Sequence, residues 1–208
     1  MFPILLLLAG CSATTVHTRI RPGTAPILRH STLAVVPFEN LSANRNSGLA
    51  VTDLASSVLF AQDYFQLVEV GVLQDESAVK LRRFEISPWE RQLGVNPAAA
   101  AMVGRSLKAD YVLAGSLGEY GFVDGFGETA AVGITVRLVR SSDAEVLWAG
   151  SLSRRVGSVA FSEESAHRLA HQVLEDLLDL LLKDVLTLKS AEVPENQPDS
   201  GDTPASTQ

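Results

Sequence analysis

Three long stretches in the second half of the chain constrain its fold more than anything else in the sequence. Residues 129–140 place Val132, Ile134, Val136 and Leu138 on one side and Thr135 and Arg137 on the other. Successive side chains of a strand point to opposite faces, so this alternation predicts a strand with one buried face. Residues 110–122 and 145–156 read as strands on either side of it. In the last, Val146, Trp148 and Leu152 are expected on one face. Ser141-Ser142-Asp143-Ala144 forms a tight polar turn between the second and third. Long strands with short connections predict an antiparallel meander.

Such a sheet needs cover, and residues 163–186 can supply it. Ser162 suits an N-cap, and Glu163 and Glu164 suit the positive end of a helix. Leu169, Val173, Leu177, Leu180, Leu181 and Val185 contribute to a broad apolar face, with Arg168, Gln172, Glu175, Asp179 and Lys183 along a polar stripe. Upstream, residues 33–38 (Leu-Ala-Val-Val-Pro-Phe) form an apolar strand buried on both faces, with Pro37 near its exit. A polar loop over 39–44 leads to a helix over 47–62, on which Leu49, Leu54, Val58 and Leu59 fall near helical spacing. Residues 65–69 alternate as a second strand, and 72–81 suit a short helix. Asn96 and Pro97 open another helix through Lys108, Asn as the cap and Pro in the first turn. The order β-α-β-α-β-β-β-α predicts an α/β (α+β) domain over 31–189. Its mixed sheet ends in a C-terminal three-strand antiparallel meander, with helices packed against it.

The two ends of the chain differ from this domain. Residues 1–10 carry the apolar run Ile4-Leu5-Leu6-Leu7-Leu8 and end in Ala9-Gly10, directly before Cys11. The run is shorter than the ~20 apolar residues that span a bilayer and matches a signal-peptide core. Leu8-Ala9-Gly10-Cys11 resembles the lipobox of bacterial lipoproteins. Small residues fit a peptidase groove, and the thiol after the cut takes the lipid. Cys11 is the sole cysteine, so no intramolecular disulfide forms. No Lys or Arg precedes the run, which points to a start upstream of Met1. Residues 11–30 read as a lipidated tether with Arg19, Arg21 and Arg29. If flexible, it holds the domain roughly 25 Å from the anchor. Residues 190–208, rich in Pro, Ser, Thr, Asp and Glu, read as a disordered acidic tail.

Composition narrows the function. A net charge of −7 argues against non-specific nucleic-acid binding. Ala114-Gly115-Ser116-Leu117-Gly118 loosely matches a nucleophile elbow, yet further strand follows where the elbow needs a helix. Glu163, His167, His171 and Glu175 recur every four residues, a spacing that could present metal ligands or a solvated helix face. Neither pattern is completed elsewhere, so no enzyme, cofactor or metal is expected. Tyr120, Phe122 and Phe126 lie among Gly118, Gly121, Gly125 and Gly127, either a hairpin tip or an adaptable contact surface. Trp89 with Arg82, Arg83 and Arg91 is either a core residue ringed by solvated arginines or a second contact surface.

Three stretches carry a family resemblance. Residues 33–42 resemble the opening strand of the TolB amino-terminal domain and of the CsgG and LpoB group of bacterial envelope lipoproteins. Residues 109–117 (Ala-Asp-Tyr-Val-Leu-Ala-Gly-Ser-Leu) are similar to the strand that follows a helix in that group. Residues 136–149 resemble its final hairpin, with a polar turn before Trp148. The resemblance implies a TolB amino-terminal or CsgG-like fold and a non-catalytic role in protein contact. It suggests a lipoprotein of the outer membrane whose domain faces the periplasm and recruits or regulates an envelope protein, as penicillin-binding-protein activators do. Ser12 after the cysteine favours the outer membrane. A subunit of a curli-type secretion channel is the alternative, with Thr129 to Arg140 long enough for a membrane strand. A homo-oligomer fits both.

Overall fold

A computed structural model describes residues 12–45, 47–68, 93–123, 129–157 and 163–191. One seven-stranded sheet organises them. Its strands are β1 (Ser12–Ile20), β2 (Thr32–Val35), β3 (Glu39–Asn40), β4 (Gln66–Val68), β5 (Tyr111–Val123), β6 (Thr129–Arg140) and β7 (Val146–Gly157). Three helices pack on it: α1 (Ser47–Gln62), α2 (Pro97–Leu107) and α3 (Glu163–Ala191). The order across the sheet is β1-β7-β6-β5-β2-β4. The first four strands pair antiparallel, whereas β2 is parallel to both β5 and β4. This is the predicted mixed sheet with a C-terminal meander.

β5 holds the two halves together. One edge pairs with β6 along its length, while the other takes β2 at Tyr111–Leu113 and then β3 at Ser116 and Leu117. Pro37 sits in the gap between β2 and β3, where a missing N–H costs the sheet little. The start of this junction is locked by Asp110. Its carboxylate accepts from the Thr32 backbone N–H (2.9 Å) and hydroxyl (2.7 Å), and its own N–H donates to Thr32 Oγ1. The Asp of the Ala-Asp-Tyr stretch is therefore a strand clamp. Gly115 has a packing role as well: a Cβ there would stand 2.6 Å from the Phe38 ring.

Alternation divides the core in two. Leu33, Val35, Leu113, Leu117, Ile134, Val136, Leu138, Trp148 and Leu152 pack against α1 and α3. Ala34, Val36, Val112 and Ala114 face the opposite way, against α2. β2 is thus buried on both faces, as the unbroken apolar run of residues 33–38 predicts. α2 begins as expected, with Asn96 Oδ1 accepting from the N–H groups of Ala98 and Ala99. It ends at Lys108, which adopts a left-handed conformation (φ 56°).

Four readings need correction. Residues 12–20 are no free tether: β1 pairs along its whole length with β7, from Ser12–Val156 to Ile20–Trp148. The rest of the segment is also tied down, since Ile27 is buried and its carbonyl accepts from the Tyr64 hydroxyl at 2.7 Å. Part of the expected loop over 39–44 is β3. On α1, Leu49 is 67% exposed, and Val51 and Ala55 take the inward positions with Val58 and Leu59. The fourth concerns Val146. A register shift lets Leu138 face Trp148 and Val139 face Val146. Leu147 is the extra residue and is buried, while Val146 is only half-buried.

Candidate functional site

The outer half of the sheet, β5-β6-β7-β1, presents two unlike surfaces. Under α3, Trp148 anchors the packed face and donates from Nε1 to Asp184 Oδ2 at 2.7 Å. Gly150 makes room for it, because a Cβ there would strike the indole ring. The reverse face carries small and polar residues: Gly133, Thr135 and Arg137 on β6, and Ala149, Ser151 and Ser153 on β7, all half-buried. Thr135 Oγ1 lies 3.2 Å from Ser151 Oγ, and Arg137 Nη1 donates to the Gly94 carbonyl at 2.9 Å. At one side of this face, burial pushes the Glu39 carboxyl above its ordinary value. Further along, Arg155 pairs with Glu119 at 2.6 Å, and this hydrogen bond raises the arginine's affinity for its proton.

β1 closes the sheet as its terminal strand. From Ala13 to Arg19 its side chains are exposed on both faces, and Val16 is 43% exposed. Cys11 lies outside the described residues, but Ser12, the next in sequence, is already in the ladder. At the far end, an open groove of about 720 Å³ is lined by Arg105, Lys108, Tyr111, Arg140 and Ser141 among others. Arg140 is held there by Asp143 (2.9 Å) and Glu145 (2.7 Å), and Arg105 donates to the Ser141 carbonyl. The Asp143 carboxyl is held below its ordinary value, first by the backbone N–H of Glu145 and then by Arg140.

The residues singled out in the sequence fall into separate places. Tyr120 is half-buried and packs against the main core. Phe122, two residues on and on the same face, is 42% exposed. Phe126, Trp89, Arg82, Arg83 and Arg91 lie outside the described residues, as do Gly125 and Gly127. Ser116 is buried inside β5 opposite Thr135, with strand on either side, which is not the geometry of an exposed nucleophile. His171 Nδ1 lies 3.3 Å from Glu175 Oε2 on α3, and His167 is exposed. Among the described residues no three His, Cys, Asp or Glu side chains gather as metal ligands. Thr129–Arg140 is an interior strand of the sheet, with Val132, Ile134, Val136 and Leu138 packed in the core beneath α3. It is therefore not a lipid-facing barrel strand. Among the described residues, no helix is long and apolar enough to cross a membrane.

The architecture is an α+β domain, a mixed seven-stranded sheet with three helices packed on it among the described residues. No protein-family model matches the chain, and no curated protein matches it in sequence. Solved structures match it in shape. PelC from Paraburkholderia phytofirmans, a dodecamer, aligns with TM-score 0.54 and 22% identity, covering 78% of this chain and 96% of PelC. Lipoprotein GNA1162 from Neisseria meningitidis aligns with TM-score 0.51 and 18% identity, covering 76% of this chain and 99% of its own. The C-terminal domain of LpoB from Escherichia coli aligns at TM-score 0.44 with 22% identity, over 64% of this chain and 87% of that domain. At these identities the likeness to PelC and GNA1162 is one of fold.

Proposed function

We propose that this chain is a non-catalytic lipoprotein of the bacterial envelope. Lipid on Cys11 holds it in the outer membrane, and its domain faces the periplasm to bind and recruit or regulate an envelope protein. The observation that carries this reading is the junction of the lipobox with β1. Leu8-Ala9-Gly10-Cys11 runs straight into a strand of the folded sheet, so a lipid on Cys11 is an attachment of the domain itself. The shared fold with lipoprotein GNA1162 supports it. Contact residues proposed for the partner are Trp89, Arg82, Arg83, Arg91, Tyr120, Phe122 and Phe126.

Mass spectrometry of the mature N-terminal peptide is the direct test. A diacylglyceryl group on Cys11, and release of a Cys11→Ser chain from the membrane fraction, are the expected results. An unmodified Cys11 in the membrane fraction overturns the anchoring. For the partner, the lipidated chain is used as bait in its own envelope. Trp89→Ala or Phe126→Ala is expected to weaken capture with folding intact, and unchanged capture by both removes those sites.

The PelC dodecamer favours a second reading, in which copies of this chain form a ring around an envelope complex. Mass photometry of the lipidated chain in detergent separates the two. Rings support the second reading, and monomers leave the single-copy adaptor.

A further inference from the structure

We propose that the end of the sheet bearing Ser12, Val156, Ala130 and Phe122 faces the lipid bilayer, with Phe122 entering the interfacial layer beside the anchor. The proposal rests on the lipidation of Cys11 put forward above and adds an orientation and a second contact to it.

The strand register carries the argument. Ser12 pairs with Val156, Val156 with Ala130, and Ala130 with Phe122. The four residues form one row across β1, β7, β6 and β5. Neighbouring strands lie ~4.8 Å apart, so Phe122 stands about 14 Å sideways from Ser12 at the same level of the sheet. Cys11 is a single ~3.8 Å step from Ser12. No slack lies between them, because every residue of β1 is paired with β7. A lipid on Cys11 therefore holds Ser12 at the membrane surface, and the ladder keeps Phe122 within about 14 Å of it, in reach of the same surface.

The two ends of the sheet differ in chemistry. Single exposed apolar residues are ordinary on protein surfaces. Phe122 is set apart by lying level with the anchor while 42% exposed. The opposite end, beyond the row Ile20–Trp148–Leu138–Leu113, carries the groove with Arg105, Lys108 and Arg140. The eight steps of β1 put that end about 27 Å from Ser12. An aromatic side chain suits the boundary between headgroups and acyl chains, whereas a charged groove suits the aqueous side. A second contact 14 Å from the lipid would also stop the domain from swivelling about its anchor and would leave the groove facing away from the membrane.

Cys11 is the only cysteine of the chain, and lipidation consumes its thiol. Phe122→Cys therefore gives the lipidated chain one free thiol, to which an environment-sensitive fluorophore is attached. Thr129→Cys, paired with Val123 one row farther out, reports on the same end should the first variant fold poorly. Ser142→Cys in the β6–β7 turn reports on the opposite end. The full lipidated chains are reconstituted into vesicles of phosphatidylethanolamine and phosphatidylglycerol, with and without acyl-brominated lipid. A blue shift and loss of most of the emission are expected at 122 and 129, with no change at 142. Unquenched labels at both 122 and 129, or equal quenching at 142, overturn the orientation while the lipid anchor stands, provided the N-terminal peptide carries its diacylglyceryl group. A peptide without lipid removes the anchor reading and the orientation with it.

Discussion

The two faces of β6 and β7 share one backbone and differ in almost everything else. On one, Ile134, Val136, Leu138, Trp148 and Leu152 are at most 1% exposed beneath α3. On the other, Thr135, Arg137, Ser151 and Ser153 are half-buried, and the polar contacts are isolated ones, Thr135 with Ser151 and Arg137 with the Gly94 carbonyl. Strand pairing is the same for both, so the difference isolates what side-chain packing adds. The packed face is therefore expected to carry most of the stability, and its reverse to tolerate substitution.

Substitutions on the two faces put this contrast at risk. Trp148→Ala should cost the most, about 3–5 kcal/mol, because it empties a packed site and strips Asp184 of its indole donor. Denaturant unfolding measures it, and a loss below about 1 kcal/mol would show that the helix-covered face is not the stabilising one. Gly150→Ala comes next. Its Cβ would meet the rigid indole, and about 1–3 kcal/mol of overpacking is expected in the same measurement. On the reverse face, Arg137→Ala should cost about 1 kcal/mol, the net value of its bond to the Gly94 carbonyl. A cost equal to that of Trp148→Ala would erase the distinction.

The smallest expected effects concern pH. Burial raises the Glu39 carboxyl above 4.5, so its ionisation costs stability as pH rises through the ordinary glutamate range. Glu39→Gln should match or exceed the parent at neutral pH and lose that advantage in acid. Asp143 has the opposite sign. Its carboxyl is held below 3.8, so its contribution is present above that value and is lost as pH falls through the lower, folded-state value. Asp143→Asn should lack that acid-side loss. Unfolding curves across acid and neutral pH check both directions.

What could be read from the sequence follows the same division. β6 was legible from Thr129 to Arg140 because a two-sided environment writes a two-residue period. α1 was legible in extent, although Leu49 turns outward and small residues such as Ala55 pack inward, which hydrophobicity alone does not distinguish. β1 escaped because a terminal strand, exposed on both faces, needs no alternation. Its signal was the β-branched content of Ser-Ala-Thr-Thr-Val-His-Thr-Arg-Ile, read against the Pro and Gly that follow. β3 is two residues long and is defined by its partner, so no local pattern announces it. The row that unites Ser12 with Phe122 is a property of register across four strands, which depends on bulges such as those at Leu117/Glu119 and Leu138/Val139. Of the candidate sites, the lipobox-like Leu8-Ala9-Gly10-Cys11 is a local pattern and visible as such, whereas the exposure of Phe122 and the core packing of Tyr120 are set by the fold.

The pairing of β1 with β7 also has a mechanical side. A pull on the chain ahead of Ser12, directed along the strand and away from the sheet, runs parallel to the ladder and across its hydrogen bonds. All nine register positions then share the load in shear, instead of opening one after another as they would in peeling. A load entering the domain through Ser12 would meet this seam first, in the shear direction that engages all of its pairs at once.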